Sequence, residues 1–175
     1  MAVILISEYF EPASSDESLY RSVCAETKHP ECIQLLQSNP NITNAKNYFD
    51  LSGFLLDLAE EKAKEGHKYM KEIYIKFPTQ FLNSCANSFY PNTITSFHSA
   101  KLELTEDTMT ASYDAKVAGD GPQYCVEALT EVKLENPPIN QGIEILSMCM
   151  FVRHTRKQLY WAIQAAHRAR YKRKK

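Results

Sequence analysis

The chain has 175 residues, 44% of them apolar and 23% charged, with a formal net charge of −1. That length suits one domain with a sizeable core, and the composition excludes a disordered chain. It also excludes a protein built of membrane-spanning helices, because no run approaches the ~20 apolar residues a span needs.

The near-neutral total conceals a division. Residues 151–175 carry nine Lys or Arg and no carboxylate, leaving 11 basic against 21 acidic residues in 1–150, a formal −10. The basic end reads first as a solvated terminus, with a weaker claim on nucleic acid or acidic polysaccharide. Five glycines, and eight prolines set mostly between long amphipathic stretches, favour helices over a many-turned sheet.

Residues 1–15 read as a flexible lead-in. The apolar Met1 to Ile6 is soon interrupted by Glu8 and Glu11, and it lacks the basic start and cleavage site of a secretory leader. Ser15 or Asp16 caps a short helix to about Cys24. A turn over Thr27 to Pro30 leads into a second short helix through Cys32, Leu35 and Leu36, broken at Ser38 to Asn41.

A long helix follows from about Thr43 to Lys76. Leu55, Ala59, Ala63, Gly66, Met70 and Ile73 recur at steps of three and four and so share one face. Glu60, Glu61, Lys64, Glu65, Lys68 and Lys71 fill the solvated face.

Thr79 caps the next stretch, a looser stripe of Phe81, Leu82, Cys85, Phe89, Ile94, Phe97, Ala100 and Leu104, with a bend expected between Asn87 and Pro91. A third helix starts at Asp107, with Met109, Ala111, Tyr113, Ala115, Val117 and Ala118 as its inward side. Gly119 to Pro122 is expected to form a loop or strong kink before helix resumes to about Val132. After Asn136-Pro137-Pro138 a last helix runs from about Asn140 beyond Ala166, turning Ile143, Leu146, Met150, Leu159, Ile163 and Ala166 inward. Short connections make these four long helices an up-down-up-down bundle.

Five cysteines (Cys24, Cys32, Cys85, Cys125 and Cys149) suit two bridges and one free thiol in an oxidising compartment. Spacing alone leaves three pairings open for the first four. Cys149, between Met148 and Met150, reads as a buried inert thiol.

Cys24, His29 and Cys32 lack the further ligands of a structural zinc site, so no metal is expected. No cofactor motif is present, and the Gly119-Asp120-Gly121 run lacks the ending of a phosphate loop. His98 and His154 have no triad partners beside them, and no acid, base and nucleophile come together in sequence, so no enzyme is expected. Asn41-Ile42-Thr43 is a candidate glycan acceptor.

The run Cys24-Ala25-Glu26-Thr27-Lys28-His29-Pro30-Glu31-Cys32, with Leu35, then Asn83-Ser84-Cys85, Asp107 to Ala118, and Gly121-Pro122-Gln123-Tyr124-Cys125, resembles the plant invertase and pectin methylesterase inhibitor family. The resemblance spans roughly residues 18–163. It implies an all-α fold: a four-helix bundle preceded by an N-terminal helical hairpin, with bridges Cys24–Cys32 and Cys85–Cys125.

The resemblance further implies a secreted, extracellular protein of the plant cell wall that acts by stoichiometric binding to a carbohydrate enzyme. It places the inhibitor domain at 16–167 and the basic tail at 168–175. Invertase inhibitors often carry Pro-Lys-Phe where this chain has Thr108-Met109-Thr110, so pectin methylesterase is the favoured target and acid invertase the alternative. Candidate contacts are Asp107, Thr108, Met109, Thr110 and Glu127.

Overall fold

The computed structural model describes residues 18–154, with side chains to residue 150. The expected caps Ser15 and Asp16, the inward positions Leu159, Ile163 and Ala166, and the basic tail lie outside the described residues.

The hairpin comes first. Helix α1 (Leu19–Thr27) and α2 (Cys32–Gln37) are joined by a tight turn in which Lys28 takes a left-handed conformation, φ 56°, and returns its N–H to the Cys24 carbonyl. Only seven residues separate the two cysteines, and they are bridged with Cα atoms 5.4 Å apart. A further turn, α3 (Pro40–Thr43), forms where a break was expected, because Asn39 caps it by accepting from the N–H groups of Asn41 and Ile42.

Four long rods follow. The first is α4 (Tyr48–Lys76), uninterrupted over 29 residues and capped by Asn47. It starts later than expected, since Asn44 to Asn47 form the link from α3. Its buried side includes all six positions read from periodicity. On its solvent side Glu60 pairs with Lys64, and Asp57 with Lys101 of the next rod.

The second rod is broken. It comprises α5 (Gln80–Ser84), a π-helical turn (Cys85–Phe89) and α6 (Tyr90–Glu103). The third comprises α7 (Thr108–Ala118) and α8 (Asp120–Glu131), separated by Gly119. The fourth, α9 (Pro138–His154), opens with Pro138.

Each rod packs on its sequence neighbour and α9 closes the ring against α4, as expected of an up-down-up-down bundle. The core fills the ring: Leu55, Leu56, Met70, Tyr90, Phe97, Leu129, Ile143 and Leu146 are wholly or almost wholly buried. Helix α9 touches α4, α7, α8 and α1, and accordingly buries residues on most sides, Ile143, Ile145, Leu146, Ser147, Cys149 and Met150.

The second bridge, Cys85–Cys125, joins the π turn to α8 with Cα atoms 5.7 Å apart. The bundle, the hairpin and both pairings agree with the fold that the resemblance implied.

Two prolines explain the broken rods. Pro91 has no N–H, so the π register that returns the Tyr90 N–H to the Cys85 carbonyl leaves the next carbonyl, that of Ala86, without a rung. His67 of α4 fills the place, its Nε2 donating to the Ala86 oxygen at 2.8 Å.

The same device recurs in the third rod. Pro122 denies an N–H to the Ala118 carbonyl four residues earlier, and the Thr93 hydroxyl of α6 donates to it at 3.0 Å. The loop or strong kink expected over Gly119 to Pro122 narrows to an interruption of one residue: Gly119 keeps helical angles, φ −69° and ψ −22°, and α8 starts at Asp120.

Glycine makes both approaches possible. A Cβ on Gly66 would lie 2.3 Å from the Tyr90 ring, and one on Gly121 would lie 2.3 Å from the Thr93 hydroxyl and 2.9 Å from the Phe89 carbonyl.

Candidate functional site

Six of the large apolar side chains exposed among the described residues, Phe81, Leu102, Met109, Tyr113, Val117 and Tyr124, lie along the second and third rods; Phe49, Ile75 and Phe77 belong to α4 and its C-cap. On α7 the inward positions are Ala111, Ser112, Ala115 and Ala118. Met109, Tyr113 and Val117 point the other way, 60%, 63% and 39% exposed. This corrects the expected inward set, which mixed both sides: alternate residues on a helix are about 200° apart, so 109, 111, 113, 115 and 117 cannot share one face.

Small residues let α7 sit close against α6 and α9, while the large ones line an exposed stripe at steps of four.

The stripe begins at the turn between α6 and α7. Asp107 is the N-cap of α7: its Oδ1 accepts from the N–H groups of Met109 and Thr110, and its Oδ2 from the Thr110 hydroxyl. Those bonds, the Thr110 hydroxyl foremost, hold the Asp107 carboxyl below the usual carboxylate range.

Beside it Glu103 is half-buried, with Oε2 closed off from solvent and unpaired among the described residues. Desolvation first, then the neighbouring Asp114, Asp107 and Glu106, push its carboxyl above the ordinary value. The foot of the stripe is thus an acidic corner with one strained charge.

At the other end of the wall Tyr124 of α8 is exposed and leans on Phe89 of the π turn, ring centroids 5.5 Å apart at 49°. Glu127, exposed one turn further along α8, flanks this pair. The expected contacts therefore divide. Asp107, Thr108, Met109 and Thr110 come together at the α6–α7 turn. Glu127 stands apart from them, near the π turn at the far end of α6, a helix of 14 residues and about 20 Å.

Phe81 and Phe89 also depart from the expected inward stripe. Phe81 is 53% exposed because its neighbour Leu82 holds the core position ahead of the π turn, and Phe89 is half-buried because the residue added in that turn hands the next core positions to Tyr90 and Thr93. Tyr113, Val117, Tyr124 and Phe89 were absent from the expected contact set. The signal that finds two of them, Tyr113 and Val117, is an apolar residue opposite an alanine stripe, not an apolar residue as such.

Among the described residues no group of three His, Cys, Asp or Glu side chains is placed to hold a metal ion. The sulfurs of Cys24 and Cys32 are spent in their bridge. Cys149 is a buried free thiol, and burial pushes its pKa up to about 12. His98 is a surface residue, Nδ1 3.7 Å from a Glu60 oxygen; the side chain of His154 lies outside the described residues. Asn41 is exposed on α3. Among the described residues no helix is long and apolar enough to cross a membrane.

No protein-family model matches the chain. No curated protein matches it in sequence. Among solved structures it superposes on the crystal structure of a mutant form of a pectin methylesterase inhibitor from Arabidopsis. The TM-score is 0.64 at 19% identity, over 78% of this chain and 95% of that one.

The chain has the pectin methylesterase inhibitor fold. At that identity the likeness is one of fold. Within the inhibitor fold, the exposed stripe of α7 and the Phe89–Tyr124 pair are outward features of the bundle wall rather than parts of its core.

Proposed function

We propose that this chain belongs to the invertase and pectin methylesterase inhibitor family and blocks pectin methylesterase by stoichiometric binding. The outward wall of α6 and α7 is the part that enters the enzyme's cleft. The observation that carries the reading is the exposed stripe Met109–Tyr113–Val117, set on a scaffold with that fold.

Aromatic and methionine side chains suit an interface core, and the acidic corner with Asp107 suits its rim. Specific complexes bury roughly 1,600 Å² in total, an area that one wall of two rods matches in scale. Such an inhibitor needs no reacting group of its own, so the chain is read as non-enzymatic. The reading also carries a plant cell-wall, extracellular location, a domain at 16–167, and glycan attachment at Asn41.

The test is a titration of the purified, oxidised protein into pectin methylesterase and, separately, into acid invertase. Pectin methylesterase activity should fall linearly to an endpoint near one inhibitor per enzyme, and Tyr113→Asp should abolish the fall while leaving the thermal unfolding midpoint unchanged. Invertase slowed in its place would transfer the target to that enzyme. Neither enzyme slowed at micromolar protein would end the inhibitor reading.

The nine basic residues of 151–175 support a second activity, binding to acidic polysaccharide or nucleic acid. Deleting Tyr171 to Lys175 should then lower the salt needed to elute the protein from pectate or heparin; unchanged retention would remove this second reading.

A further inference from the structure

The free thiol does not stand alone. Cys149 of α9 has its Sγ 3.7 Å from the Sγ of Cys32, and both residues are buried. Cys32 is already bonded to Cys24, so of the two sulfurs only Cys149 carries a proton to donate. A disulfide sulfur and a thiol in van der Waals contact are the two reactants of an exchange reaction. A new bond of about 2.05 Å requires the pair to close by less than 2 Å.

We propose that Cys149 is the resident exchange partner of the hairpin bridge, giving the chain two covalent isomers. In one, Cys24 is joined to Cys32 and Cys149 is free. In the other, Cys32 is joined to Cys149 and Cys24 is free.

The step balances without an outside reagent. The Cys149 thiol gives up its proton, and its sulfur attacks the Cys32 sulfur. The Cys24–Cys32 bond breaks, and Cys24 leaves as a thiolate that takes up a proton. One disulfide and one thiol stand on each side, so nothing is oxidised or reduced overall.

The two isomers differ in what they hold. The Cys24–Cys32 bridge closes a local loop, eight positions apart in sequence, and leaves the hairpin attached to the bundle by packing. The Cys32–Cys149 bridge spans 117 positions and pins α2 to α9. Exchange therefore converts a docked hairpin into an anchored one.

Burial sets the condition for it: all three cysteines lie at no more than 5% exposure and the attacking thiol stays protonated while the hairpin is closed. Loosening of the hairpin from α9 starts the reaction.

The experiment maps the thiol. Native full-length protein is held in sub-denaturing urea at mildly alkaline pH, quenched in acid and labelled with N-ethylmaleimide under denaturing conditions. It is then digested without reduction and analysed by mass spectrometry. The expected result is one label per chain throughout, moving in part from Cys149 to Cys24, with a new linked peptide containing Cys32 and Cys149.

Cys149→Ser should show no label and an unchanged Cys24–Cys32 peptide. Cys24→Ser, treated with oxidised glutathione, should lose both remaining thiols by closing Cys32 onto Cys149 within one chain. Label confined to Cys149 under every condition overturns the proposal, whether or not Cys24→Ser folds. A folded Cys24→Ser that keeps two thiols, or carries glutathione on both, overturns it equally.

Discussion

The first rod and the two that follow it solve the same packing problem in opposite ways. Helix α4 is a single run of 29 residues whose interior carbonyls are satisfied within the helix, and its buried face repeats with little drift. The second and third rods are interrupted, each just before a proline, and each interruption is completed by a side chain from a neighbouring rod: His67 for the Ala86 carbonyl, Thr93 for the Ala118 carbonyl. A break in a helix is thus not a local matter. It leaves a buried acceptor whose partner must be supplied across the core, so an interruption in one element dictates a polar residue in another.

The most drastic way to test this contrast is to cut the covalent tie between the broken rods. Replacing Cys85 and Cys125 together by alanine opens the bridge between the π turn and α8. In the chain-entropy model a loop of about forty residues is worth about 4 kcal/mol. The thermal midpoint should fall further than for any substitution on the solvent face of α4, with helical circular dichroism retained at low temperature.

Gly66→Ala comes next. It places a methyl carbon 2.3 Å from the edge of the Tyr90 ring, where the intact rod meets the broken one. Overpacking of that kind costs typically about 1–3 kcal/mol, read by urea denaturation.

The completion of broken ladders is sharpened by a double-mutant cycle. His67→Ala leaves a buried carbonyl unpaired, a loss of about 1–3 kcal/mol. In a Pro91→Ala background, where residue 91 regains its N–H, the same change should cost measurably less, a coupling on the order of 1 kcal/mol. Equal costs in both backgrounds would show that His67 acts through packing alone. Thr93→Val with Pro122→Ala gives the parallel cycle.

A smaller effect belongs to Glu103. Its pKa is higher folded than unfolded, so the folded state holds the proton more tightly, and stability falls as pH rises from the unfolded value through the folded one. Glu103→Gln should raise the melting temperature at pH 7, and the gain should vanish below about pH 4, where the carboxyl is protonated in both states. The smallest effect is expected on the intact rod: Lys64→Ala removes an exposed ion pair with Glu60, about 0.3–0.5 kcal/mol.

Where the chain is unbroken, sequence is enough. All six inward residues named on α4 are buried, because a 3.6-residue period carries its phase along an intact helix. Where prolines intervene the phase slips. Phe89 and Ile94, inward on paper, lie half-buried, since the π turn inserts a residue that no periodic count anticipates.

The pairing of cysteines came from resemblance and not from spacing, which left three choices open. The candidate surface was legible in part. Asp107 announces itself as a cap at the start of a helix, and Thr108 to Thr110 lie beside it in the fold as they do in sequence. Tyr113 and Val117 were hidden by being apolar: such residues are assigned to a core until the helix is shown to carry a smaller set on the other side. The contact between Cys32 and Cys149, 117 positions apart, has no sequence signal at all.

That two-sidedness of α7 has a consequence for how the protein can change. Ala111, Ala115 and Ala118 are locked by their neighbours, and any larger residue there would push the rods apart. Met109, Tyr113 and Val117 answer to no such constraint. A lineage can therefore rewrite the chemistry this wall exposes, one residue at a time, without renegotiating the scaffold beneath it.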